Sequence, residues 1–306
     1  MVSMFNYVSN SNINRDIEKM LISIWKEFIF GGHLFALGAV CVVAMCSLIF
    51  RLPIGLDVLI VTYLIFYPIY LYDYTRGVHD DLLTNSERAR YLSGNKKVNV
   101  IIGVSFISIT ILFIHFSNST TMLLGLFVLV MGLLYSSHFK KITKRIIGFK
   151  NFFVASVWAL LVLFLFCYYS VPITKETMII AGFVFIRMIS IQILFDVRDV
   201  EGDKKNGLLT IPVVLGRSKE FRLLKLLNVA SVFLIVIAVF FHVLPLIVLS
   251  FLPLMFYAFV YMEKIRKSMN NYVNYLLAAV EPLLWFSFVF FGINISKLAV
   301  FVSITL

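Results

Sequence analysis

Three acidic residues in the second half of the chain have a spacing that could bind a cation. Asp196, Asp199 and Asp203 lie three and four residues apart in the stretch DVRDVEGDKKNGLLTIPVVLG, residues 196–216. On a helix this spacing places the carboxylates within about 60° of one another, with Gln192 on the same face. Such a cluster is typical of a solvated, salt-bridged helix end or of a site for a hard cation such as Mg²⁺, which suits a phosphorylated ligand.

A second acidic stretch, YDYTRGVHDD, occupies residues 72–81. On a helix, Asp73, Arg76 and Asp80 would share a face, and Asp81 would lie about 80° from Asp73. One Mg²⁺ prefers one or two carboxylates plus water and phosphate oxygens, so two such clusters favour a diphosphate carried by two or three ions. The predicted metal ligands are Asp73, Asp80, Asp81, Asp196, Asp199 and Asp203.

The composition is that of an integral membrane protein. Hydrophobic residues make up 61% of the chain, charged residues 14%, and the mean hydropathy is +0.96. Residues 1–30 predict a polar tail followed by an amphipathic helix at the membrane surface. Residues 31–306 predict a single domain with nine apolar segments, each near the ~20 residues that cross a bilayer. The segments are 31–50, 54–73, 98–116, 120–137, 151–170, 176–196, 224–242, 244–262 and 273–294.

The distribution of basic residues predicts the orientation of these segments. If the N-terminus is cytoplasmic and all nine segments cross, 23 of the 27 Lys and Arg lie on the cytoplasmic side. Only Arg51, Lys175 and Lys297 lie outside, and Arg187 lies within the sixth segment. The positive-inside rule therefore favours a cytoplasmic N-terminus and puts both acidic stretches on the cytoplasmic side. The net charge of +11 is then a topology signal, and we expect no nucleic-acid partner.

The stretch 196–216 resembles the second aspartate-rich motif of the UbiA superfamily of intramembrane prenyltransferases. That motif is DxxDxxGD followed by GxxT[IL]PVxxG, and its acids and glycines, with Thr210, Pro212 and Gly216, are all in place. Tyr135–Lys141 (YSSHFKK), with Lys150–Asn151, is similar to the family's segment after helix 4, whose lysine contacts the diphosphate. The resemblance covers most of the chain and implies nine transmembrane helices in a bundle around a central cavity.

The first acidic stretch departs from the family's usual NDxxDxxxD. Pairing Tyr72-Asp73 with the family's Asn-Asp puts Arg76 at the next acid and Asp80 at the last. Pairing Asp73, Gly77 and Asp81 with three acids spaced by four loses the middle one instead. Divergent members with a tyrosine-rich second helix carry a downstream NxER, which Asn85–Arg88 resembles. The departure leaves the number of metal ions and the acceptor open.

The resemblance implies Mg²⁺-dependent transfer of a prenyl group from a prenyl diphosphate to a lipophilic acceptor, usually an aromatic ring, through an allylic cation. It implies catalytic roles for Asp73, Asp196 and Asp199. Tyr72 is a further catalytic candidate, with Tyr70 and Tyr74 beside it, because aromatic faces stabilise such a cation by roughly 0.5–2 kcal/mol each. Charge-assisted and polar bonds to the substrate are expected from Arg76, Lys140, Lys141, Lys150, Asn151 and Lys204.

Two alternatives remain open: a terpene cyclase of the same fold, which needs no acceptor, and a non-enzymatic carrier. We expect a multi-pass protein of the cell or cytoplasmic membrane, with its site facing the cytoplasm and no obligate protein partner. Arg187 and Glu281, both in apolar segments, either pair with each other or face the acceptor pocket.

Overall fold

The computed structural model describes residues 12–78, 82, 85–93, 98–116, 118–269 and 271–305. Within these ranges the regular elements are helices. The α-helices are α1 (Asn12–Phe30), α2 (His33–Phe50), α3 (Leu56–Arg76), α4 (Ser86–Ser93), α5 (Val98–Phe116), α6 (Ser119–Ser137), α7 (Phe149–Tyr168), α8 (Lys175–Lys205), α9 (Ile211–Leu215), α10 (Arg217–Phe240), α11 (Leu252–Lys267), α12 (Tyr272–Ala279) and α13 (Glu281–Thr305). Two 3₁₀ helices, Phe139–Lys144 and Leu246–Phe251, precede α7 and α11.

Eight or nine of these elements in the described part of the chain could cross a membrane. Seven are α2, α3, α5, α6, α7, α8 and α10, and the eighth is the continuous stretch Leu246–Lys267. The ninth depends on α12 and α13, which bend by 43° at their junction and count as one broken span only if taken together. The bend coincides with Pro282, which has no N–H and is favoured in the first turn of a helix, as here at the start of α13.

Local sequence explains where several helices begin. The side chain of Asn118 accepts a hydrogen bond of 2.8 Å from the Thr121 backbone N–H and so caps α6. Thr174 and Thr177 form a reciprocal capping box at the start of α8. This helix continues without a break to Lys205, nine residues beyond the predicted apolar segment, so the second acidic stretch extends a membrane helix.

The long helix α8 is the centre of the bundle. It packs against α7, α10, α9 and α12, whereas α2 packs against α3, α7 and α13. In the apolar 18-residue stretch of α8, 67% of the residues are buried inside the protein. The corresponding share is 22% for α5, which lies at the periphery beside α3. Residues on α8 are therefore held in fixed positions by neighbours on several sides.

The predicted amphipathic segment forms α1, close to the expected boundaries. Leu21, Ile24 and Trp25 on this helix are each more than half exposed, and its location at the membrane surface stays a prediction. Its C-terminal end is tied to the bundle, since Glu27 bonds both to His33 of α2 and to Tyr91 of α4.

The alternative in which Arg187 and Glu281 pair is confirmed. Arg187 Nε donates to Glu281 Oε1 at 2.7 Å, and Tyr261 and Trp285 donate to the same carboxylate at 2.6 and 3.0 Å. The Arg187 and Glu281 side chains are 1% and 0% exposed. The pair fastens α8 to the start of α13, within the hydrophobic core.

Candidate active site

A cavity of about 160 Å³ lies between the C-terminal ends of α3 and α8. The positive-inside rule predicts that this end of α8 is cytoplasmic. The three acids of the second motif, together with Gln192, line it from α8. Asp73 lines it from α3. The sequence spacing placed the α8 acids on one helix face, and the structure shows that this face borders the cavity.

Asp196 is the most enclosed of these carboxylates. Its side chain is fully buried, Lys150 Nζ lies 2.6 Å from Oδ1, and Asn151 Nδ2 donates to Oδ2 at 2.8 Å. Both partners come from the first turn of α7, where sequence similarity had placed residues for the diphosphate. A partly buried lysine thus pairs with a fully buried aspartate at the wall of the cavity.

The segment after α8 holds the first turn of α7 in place. The Gly148 N–H donates to the Leu209 carbonyl, and the Leu209 N–H donates to the Thr143 carbonyl, both at 2.9 Å. Gly148 has φ of 67°, and a Cβ there would lie 2.9 Å from Ile211 Cγ1. Close packing of Gly148 against residues 208–212 (LLTIP) therefore fixes the positions of Lys150 and Asn151 beside Asp196.

The other α8 acids have different surroundings. Arg198 binds Asp199 through two hydrogen bonds, Nε to Oδ1 at 2.9 Å and Nη2 to Oδ2 at 3.0 Å. The guanidinium of Arg198 also lies 5.6 Å from the centre of the Tyr275 ring, on α12. Asp203 is buried one turn further along α8. Arg198, which lies beside the Tyr275 ring, thus positions Asp199. The sequence analysis had given no role to Arg198 or Tyr275.

The opposite wall comes from α3 and α6. Asp73, Tyr70 and Tyr74 share the face of α3 that borders the cavity, and Gly77, which follows the helix, also borders it. The Ser136 hydroxyl, at the end of α6, donates to Asp73 Oδ1 at 2.8 Å. Ser136 lies within the YSSHFKK segment, but its pairing with Asp73 is a tertiary contact that the sequence did not predict.

Aromatic rings close the apolar side of the cavity. Phe35 stacks on Tyr70 with ring centres 4.8 Å apart, and Phe195 meets Phe35 edge to face at 5.8 Å. Trp158 Nε1 donates to the Tyr70 hydroxyl at 2.8 Å and holds that ring. The cavity is therefore polar at one end and aromatic at the other.

The short helix α4 adds a basic side chain to the same cavity. The Arg88 guanidinium lies 4.2 Å from the centre of the Tyr74 ring. Tyr91, one turn later, donates to Glu27 of α1. Partial burial and the bonded Glu27 carboxylate raise the pKa of the Tyr91 hydroxyl to about 12, so it is a protonated donor at neutral pH.

The predicted residues are distributed over three locations. Asp73, Lys140, Lys150, Asp196, Asp199 and Asp203 line the cavity, and Asn151 contacts it through Asp196. Arg76, Lys141 and Lys140 line an adjacent recess, whereas Lys204 is exposed on α8. Asp80 and Asp81 fall outside the described residues, so their predicted role stays a prediction.

Tyr72 lies on a different face of α3 from the cavity. Its hydroxyl accepts a hydrogen bond of 3.0 Å from Arg76 Nε, and the Arg76 guanidinium lies 5.4 Å from the centre of its ring. Tyr70 and Tyr74, two residues to either side, border the cavity instead. The catalytic role predicted for Tyr72 therefore has no support from this geometry, and the neighbouring tyrosines are better placed for it.

The chemistry of the cavity fits magnesium that shares its coordination with a ligand. Carboxylates and the Gln192 amide are oxygen donors, which Mg²⁺ prefers. In the described part of the chain, no three His, Cys, Asp or Glu side chains converge to form a complete metal site. Mg²⁺ requires only one or two protein carboxylates when phosphate oxygens and water complete its octahedron, so the donors present suffice.

Comparison with known proteins gives one family and one fold. The model of the UbiA prenyltransferase family matches residues 89–280. A digeranylgeranylglyceryl phosphate synthase from Methanosphaera stadtmanae is 26% identical over 113 residues, which cover 34% of this chain and 42% of that protein. The sequence match thus spans less than half the length of this relative.

Solved structures of similar fold span nearly the whole bundle. The apo UbiA homolog from Aeropyrum pernix K1 has a TM-score of 0.65 at 15% identity, over 86% of this chain and 98% of that one. A UbiA homolog from Archaeoglobus fulgidus, bound to DMAPP and Mg²⁺, has a TM-score of 0.62 at 17% identity, over 88% and 99%. At these identities the likeness concerns the fold.

Proposed function

Because this chain belongs to the UbiA prenyltransferase family, we propose that it transfers a prenyl group from a prenyl diphosphate to a lipophilic, aromatic acceptor within the membrane. The observation that carries the proposal is the pairing of the fully buried Asp196 with Lys150 and Asn151, because Lys150 and Asp196 line the same cavity as Asp73. Burying a lysine–aspartate pair is costly, and a cavity that binds an anion and cations gives such a pair a function.

The diphosphate would lie at the polar end of the cavity. Lys150, Lys140, Arg88 and Arg198 bring positive charge to its lining and can donate charge-assisted hydrogen bonds to phosphate oxygens. The prenyl chain would lie along the aromatic end, between Phe35, Tyr70 and Phe195. This arrangement matches the two chemically different halves of a prenyl diphosphate.

Asp73 on one wall and Asp196, Asp199 and Asp203 on the other would hold Mg²⁺ together with phosphate oxygens. The homolog from Archaeoglobus fulgidus binds Mg²⁺ together with DMAPP, which supports joint binding of Mg²⁺ and a prenyl diphosphate here. When bound, the ion supplies Lewis-acid stabilisation of the negative charge on the diphosphate. Asn151 and Ser136 orient the Asp196 and Asp73 carboxylates toward this task.

In the proposed reaction the C–O bond to the diphosphate breaks, and both electrons leave with the oxygen. Tyr70 and Tyr74 present aromatic rings to the allylic cation and stabilise it by roughly 0.5–2 kcal/mol each. A nucleophilic atom of the acceptor forms the new bond to carbon and then loses a proton, which the released diphosphate can accept. The aromatic wall excludes water, which would otherwise quench the cation.

Turnover with prenyl diphosphates of several lengths tests the proposal. Purified protein in nanodiscs would be incubated with dimethylallyl, geranyl or geranylgeranyl diphosphate and Mg²⁺, with and without an aromatic acceptor pool, and the products analysed by mass spectrometry. We expect a prenylated acceptor and free diphosphate. A terpene hydrocarbon or alcohol formed equally well without acceptor would instead identify a cyclase, and binding without any turnover would identify a carrier.

Asp196→Asn is the sharpest variant for this assay. It keeps the size of the side chain but removes its charge, and we expect kcat to fall by about 10²–10³-fold, a loss typical of removing one charge-stabilising group. Glu201→Gln is the matched control, since Glu201 is an exposed acid on the same helix. Equal activity of the two variants would contradict the assignment of Asp196.

We also propose that the cavity opens to the cytoplasm, as the positive-inside rule predicts. Single cysteines in a cysteine-free background test this orientation. Lys205→Cys, at the end of α8, should react with a membrane-impermeant maleimide only from the cytoplasmic side. His242→Cys, after α10, should react only from the other side, and the reverse pattern would overturn the orientation.

A further inference from the structure

An open groove rich in basic side chains lies between the start of α10 and the end of α11. It has a volume of about 460 Å³ and is separate from the cavity, since none of the described residues lines both spaces. Five cationic side chains line it, and all of them are exposed: Arg217, Arg222, Lys225, Arg266 and Lys267. We call this set of residues the basic groove.

The basic groove carries a large excess of positive charge. Among the described residues that line it, none is acidic. The nearby Glu263 of α11 accepts hydrogen bonds from Arg266, Nη2 to Oε1 at 2.6 Å and Nε to Oε2 at 3.0 Å. Five cations against this one carboxylate leave a net charge of +4. An anion in the groove would therefore be attracted by several charges at once.

Hydrogen bonds fasten the two helices that form the basic groove. Arg217 Nη2 donates to the Arg266 carbonyl at the basic end, and Asn228 Nδ2 donates to the Met255 carbonyl at 3.0 Å further along. Residue numbers rise on α10 as they fall on α11, so the helices are antiparallel. The cations at the start of one helix are thus held beside those at the end of the other.

Beyond its cations, α10 turns an apolar face outward. Residues three or four apart share a helix face, and the face that carries Arg222 and Lys225 continues as Val229, Phe233 and Val236. All five side chains are exposed. At 1.5 Å per residue, Val236 lies about 16 Å along the helix from Lys225, which is close to the ~15 Å of hydrocarbon in one leaflet.

The neighbouring helix α11 repeats this arrangement. Lys267, Val260 and Phe256 are spaced by seven and four residues, which places them on one face, and all three are exposed. Phe256 again lies about 16 Å from the cation. Two packed helices thus present cations at one end and exposed apolar side chains over the depth of a leaflet. A phospholipid with an anionic headgroup and acyl chains has the complementary profile.

We propose that the basic groove binds the headgroup of an anionic membrane phospholipid, whose acyl chains lie along the exposed apolar faces of α10 and α11. Basic pockets between membrane helices on the cytoplasmic side recognise such headgroups, and the positive-inside rule predicts that this end of the bundle is cytoplasmic. Ser218, which also lines the groove, adds a hydroxyl donor for a phosphate oxygen. This lipid site is independent of the proposed prenyl transfer.

Native mass spectrometry of the full chain in detergent tests the proposal. Palmitoyl-oleoyl phosphatidylglycerol and the phosphatidylcholine with the same acyl chains would be titrated separately, so that only the headgroup differs. We expect the first bound lipid to have an affinity about tenfold higher when it is phosphatidylglycerol. Equal affinities for the two lipids would overturn the proposal.

Charge reversal tests the position of the lipid site. Lys225→Glu combined with Lys267→Glu should abolish the preference for phosphatidylglycerol. The matched control is Lys205→Glu combined with Lys219→Glu, since both are exposed lysines at the same end of the bundle and neither is among the described residues that line the groove. The control should keep the preference within about twofold. An equal loss in both variants would show diffuse attraction to the basic surface and would reject the groove as the site.

A second variant keeps the test decisive if the charge-reversed protein does not fold. Lys225→Gln combined with Lys267→Gln should reduce the preference by about threefold, and an unchanged preference would count against the proposal. Glycerol phosphate, which lacks acyl chains, should compete only weakly with phosphatidylglycerol. Displacement at equal concentration would instead assign the groove to a soluble anion. A dimer that is lost in the charge-reversed variant, with no change in lipid preference, would assign this face to a second copy of the chain.

Discussion

Replacing Arg187 with methionine should destabilise the bundle more than any surface substitution. Arg187 on α8 donates to Glu281 and to Asn228 of α10 from a position that is 1% exposed. Methionine retains much of the apolar stem but leaves the Glu281 carboxylate buried without its cation. Among the described residues, the neutral donors of Tyr261 and Trp285 then remain on that carboxylate.

The size of the loss follows from the burial of both partners. Removing one member of a buried ion pair costs about 3–5 kcal/mol, because the other charge stays uncompensated. Glu281→Leu should cost a similar amount. The double variant removes both charges and leaves the neutral partners Asn228, Tyr261 and Trp285, for which a loss of about 1–3 kcal/mol is expected. Each single variant should therefore lose more free energy of unfolding than the double variant does.

Steric trapping in bicelles can measure these free energies of unfolding for the wild type, both single variants and the double variant. Arg222→Met is the control, since Arg222 is an exposed arginine on α10 and should change stability by at most about 0.5 kcal/mol. Losses in the single variants that simply add in the double variant would refute the reasoning, as would a loss below about 1 kcal/mol for Arg187→Met.

The same variants distinguish packing from acceptor binding. Neither Arg187 nor Glu281 is among the residues that border the cavity, and the pair joins α8 to α13 within the core. Activity per folded molecule should therefore be retained in the double variant. A specific rise in the KM for the acceptor would contradict a purely structural role of the pair.

Three further predictions concern residues that support the cavity and the proposed use of Mg²⁺. Gly148→Ala should lower stability by about 1–2 kcal/mol, seen as a lower Tm, because alanine strains a backbone with φ of 67°; an unchanged Tm would contradict the role of Gly148. Tyr91→Phe removes the hydrogen bond to Glu27 and should speed amide hydrogen exchange in Ser86–Ser93, with exchange in α10 as the internal reference. Chelating Mg²⁺ with EDTA should abolish turnover and added MgCl₂ should restore it, whereas full activity in EDTA would exclude the proposed use of the ion.

The sequence alone was enough for the features that depend on local periodicity and composition. Membrane character follows from the apolar fraction, and eight or nine candidate spans are present among the described residues. The shared face of Asp196, Asp199 and Asp203 follows from the 3.6-residue turn of a helix, and the structure confirms it. The motif in residues 196–216 identified the family because its residues lie close together in the chain.

Only the tertiary structure decided which side chains meet across the bundle. Lys150 and Asn151 bind Asp196 from another helix, Ser136 binds Asp73, and Arg88 reaches the cavity from α4. These pairs are separated by tens of residues, and no local pattern specifies which residues of two packed helices face each other.

The tyrosines of α3 illustrate the same limit. Tyr70, Tyr72 and Tyr74 are equivalent in a sequence pattern, yet Tyr70 and Tyr74 border the cavity whereas Tyr72 bonds to Arg76 on another face of α3. The rotation of α3 about its own axis makes this difference, and that rotation is set by packing against α2, α5 and α6. The chemistry available to the protein could be inferred from its residues, but which of them border the cavity is a property of the folded bundle.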